Sequence, residues 1–236
     1  MEHGVTSKVS WTPERAASII DHTLLRPNAT DQEILKLCDE AIRYRFCTVT
    51  VNPFYVRLCA DRLRGSPSGV CSVVSFPFGL SPTEVKVREA RRAIDDGASE
   101  IDMVLNIGAE KSHDFALVTE DAAAVVQAAK RYGRRILVKA ILETCYLTDD
   151  EKERACEAAV SAGVDFVKTS TGFGTAGATV QDVSLMRRVV GSRAGVKAAG
   201  GIRDTASFLA MTQAGANRIG TSHGIDIVNG FAPSTF

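Results

Sequence analysis

Apolar residues recur along the chain in two alternating rhythms. In the first, Ile34, Leu37, Cys38, Ala41 and Ile42 fall at i, i+3, i+4, i+7 and i+8, the spacing of one helix face. Thr30 and Glu33 form a capping box ahead of this run and satisfy N–H groups that a helix start leaves open. Ser81-Pro82-Thr83-Glu84 and Thr148-Asp149-Asp150-Glu151 repeat the signal, the first with Pro at the first helical position. In the second rhythm, short apolar runs read as buried strands at 19–23, 48–52, 70–76, 100–105, 136–142, 165–170, 195–198 and 218–220. Gly97, Gly163 and Gly215 each close a helical pattern just before one of these runs, where a left-handed residue ends the helix.

The segments DDGASEIDMVL, SAGVDFVKTS and QAGANRIGTS are three versions of one local design, helix end, Gly, then strand. Their uneven spacing argues against a solenoid. Eight strands alternating with helices predict an α/β fold closed as a (β/α)8 barrel, whereas an open doubly wound sheet more often has about five or six strands. No stretch rich in Pro, Ser or charge reads as a linker, so 1–236 is expected to form a single domain. Ahead of the first strand-like run, the Trp11 region predicts a short N-terminal helical extension. It could cap the N-terminal face of the barrel or meet a partner subunit.

Composition narrows the function classes. Lys and Arg number 28 against 28 Asp and Glu, so the net charge is zero, and no basic patch interleaved with aromatics favours nucleic acid. The charge run 88–96 reads as the solvated face of a helix. The N-terminal stretch lacks the apolar run of a signal peptide, and no stretch approaches the roughly 18 apolar residues of a membrane span, so a cytoplasmic protein is expected. Cys38, Cys47, Cys59, Cys71, Cys145 and Cys156 contain no C-x-x-C, which suits reduced, half-buried thiols rather than zinc ligands.

In a barrel of this type the reactive groups stand at the C-terminal ends of the strands. Lys139 in ILVKAILE, Lys168 in VDFVKTSTG, Lys197 in GVKAAGG and Asp102 in EIDMVLN each interrupt an apolar strand. A lone strand-end lysine is most simply one that reaches water or pairs with a carboxylate. Three on neighbouring strands share one small space, where mutual repulsion and burial depress a lysine pKa. A neutral lysine is a nucleophile for a carbonyl, and a carboxylate beside it can move protons.

Gly200-Gly201-Ile202-Arg203 after the seventh strand and Gly220-Thr221-Ser222 after the eighth suit an anion such as phosphate, although two tight turns with no ligand would read the same way. Gly172-Phe173-Gly174-Thr175-Ala176-Gly177 matches G-x-G-x-x-G, but no acidic residue follows about 20 positions on to hold a ribose. These glycines instead shape a loop beside Lys168. His3 and His113 are expected in solvent, while His22 and His223 lie near strand ends and could touch a ligand. No H-x-H or H-E-x-x-H pattern offers a metal site, so a metal-free mechanism is favoured.

With these residues assembled, the sequence resembles the deoxyribose-phosphate aldolases, Schiff-base-forming class I enzymes of the (β/α)8 type. The resemblance rests on IDHTLL, CTVTVNP, VVSFPFG, EIDMVLNIG, LVKAILET, DFVKTSTGF, VKAAGGIR and RIGTS, in that order along nearly the whole chain. It implies reversible cleavage of 2-deoxy-D-ribose 5-phosphate to D-glyceraldehyde 3-phosphate and acetaldehyde, without a cofactor, in a homodimer. It further implies Lys168 as the Schiff-base lysine and Asp102 with Lys197 as the proton relay. Lys139 would be a further cation, and Asp21, Thr23 and Cys47 would line the sugar end. Thr169, Gly172, Gly200, Gly201, Gly220 and Ser222 would complete the substrate site, the glycines and Ser222 at the phosphate. Phe173 and His223 stand where some members carry a basic residue and a second Ser, and Phe236 where some end in Tyr.

Two rival readings stay open. Another barrel aldolase or isomerase could act on a different sugar phosphate, since fold does not fix substrate. A catalytically silent sugar-phosphate-binding barrel would have no need for two close, repelling lysines.

Overall fold

The computed structural model describes residues 10–133 and 135–231. His3 and Phe236 lie outside them. Eight parallel strands close on themselves in chain order, β1 (Ile20–Leu24), β2 (Thr48–Val51), β3 (Gly69–Val74), β4 (Glu100–Val104), β5 (Leu137–Ile141), β6 (Phe166–Lys168), β7 (Gly195–Ala199) and β8 (Arg218–Thr221). The result is a (β/α)8 barrel. Its helices are α1 (Pro13–Ala17), α2 (Asp31–Tyr44), α3 (Val56–Arg62), α4 (Thr83–Asp95), α5 (Ile107–Lys111), α6 (Phe115–Lys130), α7 (Asp149–Ala162), α8 (Val180–Val190), α9 (Thr205–Gln213) and α10 (Gly224–Asn229). No helix among the described residues is long and apolar enough to cross a membrane.

The local signals work as the sequence predicts at most joints. Thr30 with Glu33 and Thr148 with Glu151 close complete capping boxes on α2 and α7. Gly97, Gly163 and Gly215 take φ of +113°, +85° and +114°, which L side chains rarely adopt, so each helix stops there and the next strand begins. At 81–84 the expectation fails. Pro82 is itself the cap of α4, and a Pro side chain has nothing to accept with, so no capping box forms.

β2 to β6 are shorter than the apolar runs, because those runs continue past the ladder pairs into the loops, whereas β7 and β8 each extend one residue beyond the expected runs. The third run was expected to reach 76, yet β3 ends at Val74. β6 keeps only three residues before the chain turns away after Lys168.

Between strands and helices lies a continuous apolar layer including Ile34, Val49, Ile101, Val125, Ala159, Val167 and Ile219. Each fully buried Val, Leu or Ile there contributes about 1.5–3 kcal/mol, so the layer holds the closed sheet rigid under the charges inside it. Trp11 packs edge-on to Phe208 of α9 at 4.9 Å, so the N-terminal extension rests on its own barrel. Cys38, Cys59, Cys71 and Cys156 are fully buried rather than half-buried, and all six thiols are free.

Candidate active site

Alternation along the strands decides what points into the barrel. Register pairs Asp102 with Lys139, Lys168 with both Ile141 and Lys197, and Lys197 with Arg218. All four chemistry-bearing residues expected from the sequence therefore converge inside.

Lys168 Nζ and Lys197 Nζ each donate to the same oxygen, Asp102 Oδ2, at 2.7 Å. Lys139 Nζ takes the other oxygen, Oδ1, at 2.8 Å. Below them, Lys197 pairs with Asp21 at 2.5 Å and Lys139 with Glu100 at 2.5 Å. Arg218 reaches Asp21 at 2.7 Å and Glu100 at 3.2 Å. The floor beneath is closed by Phe166, with the Arg218 guanidinium 5.4 Å from the ring centre. Gly195 makes this possible, since a Cβ there would stand 2.2 Å from the Phe166 ring.

Counting charges in this network identifies the odd member. Asp21, Glu100 and Asp102 supply three negative charges, and four cationic side chains face them. With these side chains almost wholly buried, a fourth positive charge would stand uncompensated, which is costly. Of these four side chains, Lys168 is the one whose pKa is lowered. Burial and then the charge of Lys197 push its pKa below the usual lysine value, against the pull of Asp102. Lys197 suffers the same burial, but Asp102 and Asp21 outweigh it and raise its pKa. Lys139 is raised well above the usual value, burial being overcome by Asp102, Cys71, Glu100 and Asp21. Asp102 is held well below the carboxylate range despite burial, by Lys139, Lys168 and Lys197.

Above this network opens a cavity of about 310 Å³, and of the three barrel lysines only Lys168 lines it. Its rim is made by Thr23, Gly172, Gly200, Gly201, Gly220 and Ser222 with Arg26, Arg203 and His223. Gly172, Gly200 and Gly201 have φ of +88°, +87° and +80°, and Gly177 lies so close to Gly200 that a Cβ would stand 2.3 Å from its carbonyl oxygen. Gly220 leaves the room that Lys197 occupies, since a Cβ there would come 3.0 Å from Lys197 Cε. Bare backbone, a hydroxyl and two guanidinium groups thus surround one end of a cavity whose other end holds an amine. That geometry suits a small phosphorylated carbonyl compound.

Several expected site residues lie elsewhere. Cys47 does not line the cavity. It precedes β2, at the N-terminal end of the barrel, and its thiol is pushed up to about 11 by burial and Asp21. The residue of this strand that faces the interior near the mouth is Thr50. Thr48 Oγ1 reaches Asp21 Oδ1 at 2.8 Å, so alternation puts Thr50 on the same face. Thr50 pairs with Thr23 and is buried with Oγ1 unpartnered among the described residues. Asp21 lies a layer beneath the cavity and holds Lys197 and Arg218 rather than lining the pocket.

Thr169 binds β7 at both the N–H and the carbonyl of Ala199, at 3.1 and 3.2 Å, so it joins strands and leaves the cavity to its neighbours. His22 points outward to Glu40 at 2.8 Å and against Phe46, while His223 does line the cavity. Glu100 and Arg218 escaped the sequence reading. Each lies two positions before a chosen residue, Asp102 and Gly220, on the same strand face, which was the available signal.

Residues 15–231 match the model of the DeoC/LacD family of aldolases. A deoxyribose-phosphate aldolase of Thermococcus kodakarensis is 59% identical over 216 residues, covering 91% of this chain and 96% of that one. One from Listeria innocua is 54% identical, covering 92% and 96%. The crystal structure of a putative deoxyribose-phosphate aldolase from Coccidioides immitis superposes with a TM-score of 0.88 at 44% identity, covering 92% of this chain and 85% of that one. The tetrameric deoxyribose phosphate aldolase of Aeropyrum pernix gives 0.87 at 35% identity, covering 93% and 92%. The chain belongs to the DeoC/LacD family of aldolases.

Proposed function

We infer that the chain is a class I aldolase that reversibly cleaves 2-deoxy-D-ribose 5-phosphate to D-glyceraldehyde 3-phosphate and acetaldehyde. One observation carries the reading: Lys168 is the barrel lysine that meets the cavity, and it shares a single carboxylate oxygen with a second lysine. The identity to deoxyribose-phosphate aldolases supports the substrate.

In the direction of cleavage, the lone pair of Lys168 Nζ attacks C1 of the open-chain sugar and the carbonyl oxygen takes up a proton, giving a carbinolamine. A proton delivered through Asp102 and Lys197 lets water depart and leaves an iminium ion. Loss of the C3 hydroxyl proton then breaks the C2–C3 bond. Its electron pair moves to the iminium as an enamine, and C3 becomes the aldehyde of glyceraldehyde 3-phosphate. The relay returns a proton to C2, and water hydrolyses the resulting iminium to acetaldehyde and free Lys168.

Lys139 stays charged and holds Asp102 in place, so that the carboxylate faces the two relay amines. The backbone around Gly172, Gly200, Gly201 and Gly220, with Ser222 and Arg203, takes the phosphate and fixes C1 over Lys168. Binding energy from this remote group orients the reacting atoms. We read the assembly as a homodimer in the cytoplasm, a setting that suits six free thiols. Light scattering decides between a dimer and a tetramer like that described for the Aeropyrum pernix relative.

The test is acetaldehyde release from 2-deoxyribose 5-phosphate, followed by coupled reduction with NADH. Steady turnover that vanishes on Lys168→Ala supports the reading. A folded protein that releases no acetaldehyde from this sugar would refute it.

A further inference from the structure

Glu143 has no part in the steps above, yet it is 2% exposed and lies two residues past the end of β5 in a conformation unusual for its type, with φ at +56°. A non-glycine residue in the left-handed region is strained, and such strain persists where its surroundings hold it in place. Here the surroundings are the loop that follows Lys168. The Glu143 carboxylate accepts the Thr171 N–H at 3.2 Å through Oε1 and the Thr171 hydroxyl through Oε2. Thr171 Oγ1 in turn accepts the N–H of Phe173 at 3.0 Å. Gly174 packs onto the same carboxylate, where a Cβ would lie 3.1 Å from Glu143 Cδ. The next residue secures the other side, Thr144 N–H donating to Thr169 O at 3.0 Å.

One buried acid therefore fixes the backbone of 171–174, and Thr171, Gly172 and Phe173 all line the cavity. Lys168 itself is held by Asp102 from within the barrel and receives no contact from Glu143 in the hydrogen bonds and ion pairs described. The two ends of the cavity thus have separate supports.

We propose that Glu143 is a positioning residue for the phosphate end of the site, acting through Thr171 to hold the 171–174 loop in its anion-binding shape. This deepens the aldolase reading and rests on it. Loss of Glu143 should then weaken recognition of the phosphate while sparing the chemistry at Lys168.

The experiment compares Glu143→Ala, Glu143→Gln and Thr171→Val with the wild type on 2-deoxyribose 5-phosphate and on unphosphorylated 2-deoxyribose. Inorganic phosphate binding is measured alongside by calorimetry. For Glu143→Ala, KM for the phosphorylated sugar should rise at least tenfold, with kcat within threefold. Its kcat/KM on 2-deoxyribose should stay within threefold, and phosphate affinity should fall by the same factor as KM rises. Glu143→Gln, which keeps an acceptor oxygen for Thr171, should recover most of the loss. Thr171→Val should reproduce the KM effect, and it serves as the decisive variant if Glu143→Ala fails to fold. Equal losses on both sugars, or unchanged KM and phosphate affinity in folded variants, would overturn the proposal. Absence of any cleavage by the wild type would instead count against the aldolase reading, because phosphate binding by the variants would still report on Glu143.

Discussion

Between α4 and α6, Lys86 is sealed from solvent in an ion pair with Asp121 and also donates to the Val104 carbonyl at 3.1 Å, while burial pushes the nearby Glu110 carboxyl well above the usual carboxylate range, toward its neutral form. Inside the barrel, Lys168 is nearly as deeply placed, but it shares one oxygen of Asp102 with Lys197. The first region balances one positive charge with one negative charge. The second sets four cationic side chains against three carboxylates and places the least compensated of them beside a cavity. Burial alone therefore does not make a nucleophile. On the proposed reading, the count of opposing charges around the amine does, together with access for a substrate.

The comparison breaks first at Lys168 itself. Lys168→Ala should lower cleavage by at least about 10⁴-fold, with circular dichroism and melting behaviour of a folded barrel, because a nucleophile is lost and little core volume with it. A folded variant with near-normal turnover would remove Lys168 from the chemistry.

Asp102→Asn comes next. Deleting the one charge that serves three lysines should reduce kcat by about 10²–10⁴-fold, with a smaller change in KM, if Asp102 belongs to the proposed proton relay. A change confined to KM would make Asp102 a binding residue.

In the helix layer the effect should fall on stability and leave catalysis alone. Lys86→Met strands Asp121 without a partner, and urea unfolding should show a loss of about 3–5 kcal/mol at unchanged kcat. Adding Asp121→Leu should restore much of that stability. A loss of activity out of proportion to unfolding would show that the two lysine regions are coupled.

The smallest effect concerns pH. A protonated Lys168 does not attack a carbonyl, so kcat/KM should fall about tenfold per unit as pH drops below its folded pKa, which lies under 10.5. The same depression means that the unfolded chain binds this proton more readily than the folded one. Stability from this group therefore rises as pH climbs from the folded value toward the unfolded one. Lys168→Met should accordingly melt above the wild type, with the gain largest below the folded pKa and fading toward pH 10.5. A variant that melts below the wild type throughout would argue that Lys168 is charged and paired.

Much of this was legible in the sequence because it follows local rules. Gly97, Gly163 and Gly215 punctuate helix and strand, and eight apolar runs in order close a barrel. The three lysines and Asp102 stood out because charge inside an apolar strand needs a reason. Their convergence then followed from period-two alternation.

The same rule, applied less fully, explains the misplacement at β2. Cys47 precedes the paired strand, while Thr50 shares an inner face with Thr48 and pairs with Thr23. Glu100 and Arg218 were open to discovery by stepping two residues back from Asp102 and Gly220. Glu143 and Lys86 were not, because their roles depend on partners 28 and 35 positions away, and no local pattern marks such a contact. At 81–84 a start signal with the right composition formed no box, since Pro82 took the cap position itself.

The most direct measurement is borohydride reduction of the purified protein in the presence of acetaldehyde, followed by peptide mass spectrometry. The charge arrangement predicts one stable two-carbon adduct, on Lys168, and none on Lys139 or Lys197. An adduct on either of those residues, or none on any lysine of a folded protein, would contradict the claim that the uncompensated amine at the cavity is the nucleophile.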